Sequence, residues 1–83
     1  SVAARVVALA DPAVLPVLRH HPVGNLLELF NVSGTWRPWP GARLDDYGLR
    51  SAVDELTGEP PNWGDDDNIW LAPYQAVWLT ARA

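Results

Sequence analysis

Few side chains in this sequence are of types that do chemistry, and their spacing rarely brings them together. The two histidines, His20 and His21, are adjacent. Neighbours on a strand point to opposite faces, so they cannot act as a pair. The serines are Ser1, Ser33 and Ser51, and none lies in the G-x-S-x-G elbow that would present a nucleophile. Asp45-Asp46 and Asp54-Glu55 supply adjacent carboxylates, which diverge on a strand or a helix. Glycoside cleavage needs two acids facing each other across a cleft. Asp65-Asp66-Asp67-Asn68 offers the oxygen ligands that a hard cation takes. The run lacks the central glycine and closing glutamate of an EF-hand loop. A like-charge run in a Gly/Pro-rich loop is ordinarily just solvated. No cysteine is present, so there is neither a thiolate metal site nor a disulfide framework. These residues imply no catalytic group, no metal and no cofactor.

The most unusual local feature is Trp36-Arg37-Pro38-Trp39-Pro40. Two indoles on an exposed loop, Trp36 and Trp39, would stack on the apolar faces of sugar rings. The competing reading packs them on the domain's own core or against a neighbour outside it, and the demand for burial favours it. Asn31-Val32-Ser33 matches a glycosylation acceptor, but it falls on a strand that reads as buried.

The elements that would position these groups are short. The chain has 83 residues, enough for one small domain, with 48% hydrophobic content and a net charge of −4. The six basic residues are scattered arginines, which argues against a nucleic-acid or anionic-membrane partner. No apolar run is long enough to span a membrane, and no signal peptide is visible. The lack of cysteine suits a reducing compartment, so a cytoplasmic location is expected. A chain opening at Ser1 without Met reads as a piece of a longer protein. Eight prolines leave little room for helices. Residues 2–9, 13–20 and 26–32 read as strands. Pro16 demotes the second to a sheet edge, because proline donates no ladder bond. Pro22 to Asn25 is a turn joining strands two and three as a hairpin. In 26–32 both faces carry apolar side chains, which implies a central strand or burial on both sides. Thr35 to Trp39 is extended. In 41–59, Leu49, Ala52, Val53 and Leu56 fit a helical stripe, with a strand at 52–56 as the competing assignment. Residues 59–68 are a loop, and 69–72 and 74–81 are strands. The whole predicts an all-β fold, a small antiparallel β-sandwich of about six to eight strands.

Three stretches resemble one known pattern. Leu27-Leu29-Phe30-Asn31-Val32-Ser33, Asp54-Glu55-Leu56-Thr57-Gly58 and Leu71-Ala72-Pro73-Tyr74-Gln75-Ala76-Val77-Trp78-Leu79 resemble, in order and spacing, the C-terminal domain of α-amylase-family enzymes, glycoside hydrolase family 13. The Pro-Tyr-Gln-x-x-Trp-Leu ending and the strand Val14 to His20 look most like the amylosucrase-like members. The resemblance implies that residues 1–83 are a single C-terminal β-sandwich domain, non-catalytic itself, packed on and stabilising a catalytic (β/α)8 barrel. It implies a parent that takes glucosyl from sucrose, releases fructose and extends an α-1,4-glucan. Alternatives are an accessory α-glucan-binding module, or the same domain in a related sucrose hydrolase or trehalose synthase. The partner that the resemblance implies is the parent's own barrel, and the Trp36/Trp39 pair, read from the residues alone, would add an α-glucan. The resemblance also favours strand over helix at 52–56, leaving a short helical turn near 45–50. Two features depart from the pattern: the long loop 60–68, and the Trp36/Trp39 pair itself.

Overall fold

The computed structural model describes residues 3–81. Seven strands and one short helix form, in order, β1 (Ala3–Val6), β2 (Val14–His21), β3 (Gly24–Asn31), β4 (Arg37–Pro40), α1 (Gly41–Asp45), β5 (Val53–Asp54), β6 (Asn68–Leu71) and β7 (Ala76–Thr80). Five strands make one antiparallel sheet in the order β1-β2-β3-β7-β5, and β4 and β6 pair as a second, two-stranded sheet. The expected all-β fold is what forms, and it suits a small sandwich.

The alternation of strand side chains explains the core. Leu18, Leu27 and Leu79 are cross-strand neighbours on one face, as are Pro16, Leu29 and Val77. All six are buried. Trp39, Ile69 and Leu71 of the small sheet, with Leu44, Leu49 and Ala52 from the α1 region, complete that core. The β2–β3 hairpin closes through Pro22-Val23, with His21 opposite Gly24. Gly24 sits at φ 131°, a conformation that costs glycine least.

Three expectations need correction. Pro16 does not mark an edge, since β2 lies between β1 and β3. Its carbonyl accepts from the Val7 N–H at 3.2 Å, so its own nitrogen faces the β1 side. There β1 has already ended at Val6, and the ladder to β3 loses nothing. In 49–56 the strand that the resemblance favours over the helical stripe forms, but shorter than 52–56. The one helix described is Gly41–Asp45, turns follow, and the strand in this window is only Val53–Asp54. Asp54 stops it by folding the chain back, accepting from the Leu56 N–H at 3.1 Å while Gly58 takes φ 78°. The last strand starts at Ala76, not Tyr74. Pro73-Tyr74 is a tight turn in which the Gln75 N–H donates to the Ala72 carbonyl at 3.0 Å. In the first predicted strand, Val2 lies outside the described residues.

Candidate functional site

The two indoles that could have formed a sugar platform are separated. Three residues apart on extended chain, they point to opposite sides. Trp39 lies in β4 opposite Ile69 with 0% exposure, and the Arg43 guanidinium stands 5.2 Å from its ring centre. It has no face to offer a sugar. Its Nε1–H has no acceptor among the described residues. Trp36 is 55% exposed in the connection between β3 and β4.

What lies beside Trp36 is a loop pair locked by Asn31. This side chain is fully buried. Its amide nitrogen donates to the carbonyls of Thr35 (2.7 Å), Ala72 (2.9 Å) and Leu71 (3.2 Å). Its oxygen accepts from the Ser33 N–H at 2.9 Å and the Ser33 hydroxyl at 2.7 Å. A buried amide so fully paired joins two loops that share no ladder. It also leaves the Asn31-Val32-Ser33 amide no room to carry a glycan. Tyr74, exposed and at φ 58°, bonds through its N–H to the Ser33 carbonyl at 3.1 Å.

The acidic loop is occupied by its own neighbours. Arg50 donates to both Asp45 oxygens, at 2.8 and 2.7 Å, and to Asp67, with its guanidinium 5.0 Å from the Trp63 ring centre. These bonds hold the Asp45 carboxyl below the usual carboxylate range and push Arg50 up. The Trp70 indole N–H donates to both Asp66 oxygens at 3.2 Å and, with Asn68, holds Asp66 low as well. Gly41 makes the clamp close. A Cβ there would come within 2.6 Å of the Asp67 carbonyl, which accepts from the Gly41 N–H at 2.8 Å. Among the described residues no group of three or more His, Asp or Glu is placed to hold a metal.

The remaining candidates are structural in their contacts. His20 and His21 are both exposed. The His20 Nδ1 lies 3.0 Å from the Asn25 side-chain oxygen, and the His21 Nδ1 accepts from the Val23 N–H at 3.3 Å. Asp54 is buried and also accepts from the Trp78 N–H at 3.0 Å, joining β5 to β7. Thr80 donates its hydroxyl to the neighbouring Glu55.

A second face was not singled out as a site from the sequence. The outer surface of the five-stranded sheet carries three cross-strand rows. They are Leu15–Phe30–Ala76, Val6–Val17–Glu28–Trp78 and Ala4–Arg19–Leu26–Thr80–Val53. Phe30 and Trp78 are 41% and 42% exposed. Arg19 and Glu28 pair across the middle. At one end of the face a groove of about 540 Å3 opens between Arg19, Leu26, Thr80 and the β2–β3 turn. The signal for this face was present in the apolar character of both sides of 26–32.

A family model described as "Amylosucrase, C-terminal domain" matches residues 4–80. No curated protein matches the chain. Among the described residues no helix is long and apolar enough to cross a membrane.

Proposed function

Since the chain belongs to the amylosucrase C-terminal domain family, we propose that it is the non-catalytic domain that packs on and stabilises the catalytic (β/α)8 barrel of an amylosucrase-like enzyme. In this reading residues 1–83 are one C-terminal domain of a longer chain. The parent transfers glucosyl from sucrose to an α-1,4-glucan and releases fructose. The same domain would serve a related sucrose hydrolase or trehalose synthase. The cysteine-free sequence suits the reducing cytoplasm in which we place the parent. The observation that carries the proposal is the family match over residues 4–80. Two measurements test it. The 83-residue chain given sucrose should release no fructose, and steady release would overturn the non-catalytic role. Deleting the domain from the parent should lower the parent's unfolding midpoint, and an unchanged midpoint would overturn the stabilising role.

A second reading rests on one observation, the exposed Trp36 ring. It makes the domain an accessory α-glucan contact through a single indole. Trp36→Ala should then weaken maltooligosaccharide binding by the parent, measured by calorimetry at a surface remote from the active site. Unchanged binding removes this reading.

A further inference from the structure

We infer that the outer face of the five-stranded sheet is the surface by which this domain seats on the portion of its own enzyme that precedes it. The inference rests on the accessory-domain reading above and adds the face and the contacts. The Leu15–Phe30–Ala76 row is wholly apolar and the Val6–Val17–Glu28–Trp78 row is apolar but for Glu28, where a solvated antiparallel sheet would alternate to polar side chains. The inner face of the same strands is already filled by the small sheet and the α1 region, so the outer rows have no occupant within the described residues. Exposed Leu15, Phe30 and Trp78 side by side, with the Arg19–Glu28 ion pair among them, have the apolar body and polar group of an interaction surface.

The area selects the occupant. Five strands at a spacing of about 4.8 Å, and about seven residues along each central strand, give a footprint on the order of 500 Å2. A free-standing dimer buries about 800 Å2 on each partner. Interfaces between domains of one chain are smaller, starting at about 600 Å2 in total, because the covalent tether supplies the second partner at high local concentration. A second copy would also bring a second net charge of −4 against the first. A sugar needs free hydrogen-bonding groups around its stacking ring, and those on this face are engaged within the domain, Arg19 with Glu28 and the Thr80 hydroxyl with Glu55. The occupant is therefore an apolar surface of the same polypeptide. It must carry a polar group at its centre, because covering the Arg19–Glu28 pair takes two charges out of water. The groove beside Leu26 and Thr80 would receive one protruding side chain from it.

Hydroxyl-radical footprinting of the full-length enzyme tests the face directly. Trp78 and Trp36 have similar exposure in the domain itself, 42% and 55%, so an uncovered Trp78 would oxidise about as fast as Trp36. The expected result is Trp78 oxidation slowed about tenfold relative to Trp36, because the centre of an interface excludes water. Phe30→Glu, placed at an exposed position, should restore the Trp78 rate. A reactive Trp78 with Trp36 and Tyr74 protected would overturn this face while leaving the accessory role standing. Reactivity at all three would overturn this face, and an unchanged unfolding midpoint on deleting the domain from the parent would be needed to overturn the stabilising role as well. Protection of Trp78 that disappears on dilution would mean a second copy covers the face, and would overturn the intramolecular occupant. Protection that survives Phe30→Glu would also overturn it.

Discussion

The two faces of the five-stranded sheet are built from the same strands and both carry apolar side chains, yet only one is covered within the described residues. On the inner face Leu18, Leu27, Leu29 and Leu79 are fully buried under Trp39, Ile69 and Leu71. On the outer face Leu15, Phe30 and Trp78 keep about two-fifths of their surface in water. Composition does not distinguish the two, since each face of β3 carries two large apolar side chains, Leu27 and Leu29 on one and Leu26 and Phe30 on the other. The difference lies in what the rest of the chain can reach. After β3, two locked loops and a short second sheet turn back over one side only. Burial here is a property of topology, and the outer face shows what the same residues look like when topology leaves them out.

The inner face is where the comparison breaks most expensively. Leu29→Ala removes a side chain at the centre of the core and should cost about 3–4 kcal/mol in chemical denaturation. Asn31→Ala acts at the rim of the same face. It takes the Asn31 donor from the Thr35, Leu71 and Ala72 carbonyls together, leaving Thr35 only the Ser33 hydroxyl, and should cost about 2–3 kcal/mol. Hydrogen exchange should rise in both the 33–36 and 72–75 loops, and a change confined to one loop would contradict the shared lock. On the outer face Phe30→Ser should cost under about 1 kcal/mol in the chain by itself, and more in the parent if that face is covered there. Equal losses at Leu29 and Phe30 in the chain by itself would erase the distinction between the faces.

The smallest effect belongs to the surface clamp. Asp45 and Asp66 both titrate below the usual carboxylate range in the folded state. A depressed carboxylate stabilises the fold above its unfolded pKa, and that contribution is lost as pH falls through the folded value. The unfolding midpoint should therefore drop on acidification below about pH 4. Arg50→Met should flatten the part due to Asp45 while leaving that due to Asp66, whose main partner is Trp70. An unchanged acid limb in this variant would show that the clamp is not populated in solution.

Much of this was legible in the sequence, and the misses share a cause. The β2–β3 hairpin followed from Pro22-Val23-Gly24, and the central position of β3 followed from its two apolar faces. The all-β class followed from prolines too frequent for helices, and the three-motif resemblance pointed to the family that the chain belongs to. The placement of Pro16 was not legible, because its penalty depends on where the neighbouring strand stops. The helical stripe at Leu49, Ala52, Val53 and Leu56 kept a helix open beside the strand, and the strand proved shorter than 52–56, because Asp54 spends its carboxylate on a turn, which periodicity does not register. The Trp36/Trp39 pair looked like one feature, although an odd spacing on extended chain divides it between water and core. The Asn31 lock was hidden because its carbonyl partners at Leu71 and Ala72 lie 40 residues or more away.

The strand order β1-β2-β3-β7-β5 has a consequence for synthesis. β7 leaves the ribosome after every other strand described here, yet it sits between β3 and β5. Until Ala76 to Thr80 emerges, β3 presents an open edge and β5 has no sheet to join. The β2–β3 hairpin can form early, but its leucines wait for a closing strand encoded some 45 residues later. During that wait the nascent domain carries an unpaired, hydrophobic strand edge, the form in which chains most readily pair with the wrong partner. A chain ending before Ala76 would keep that edge unpaired and should aggregate more readily than the full sequence.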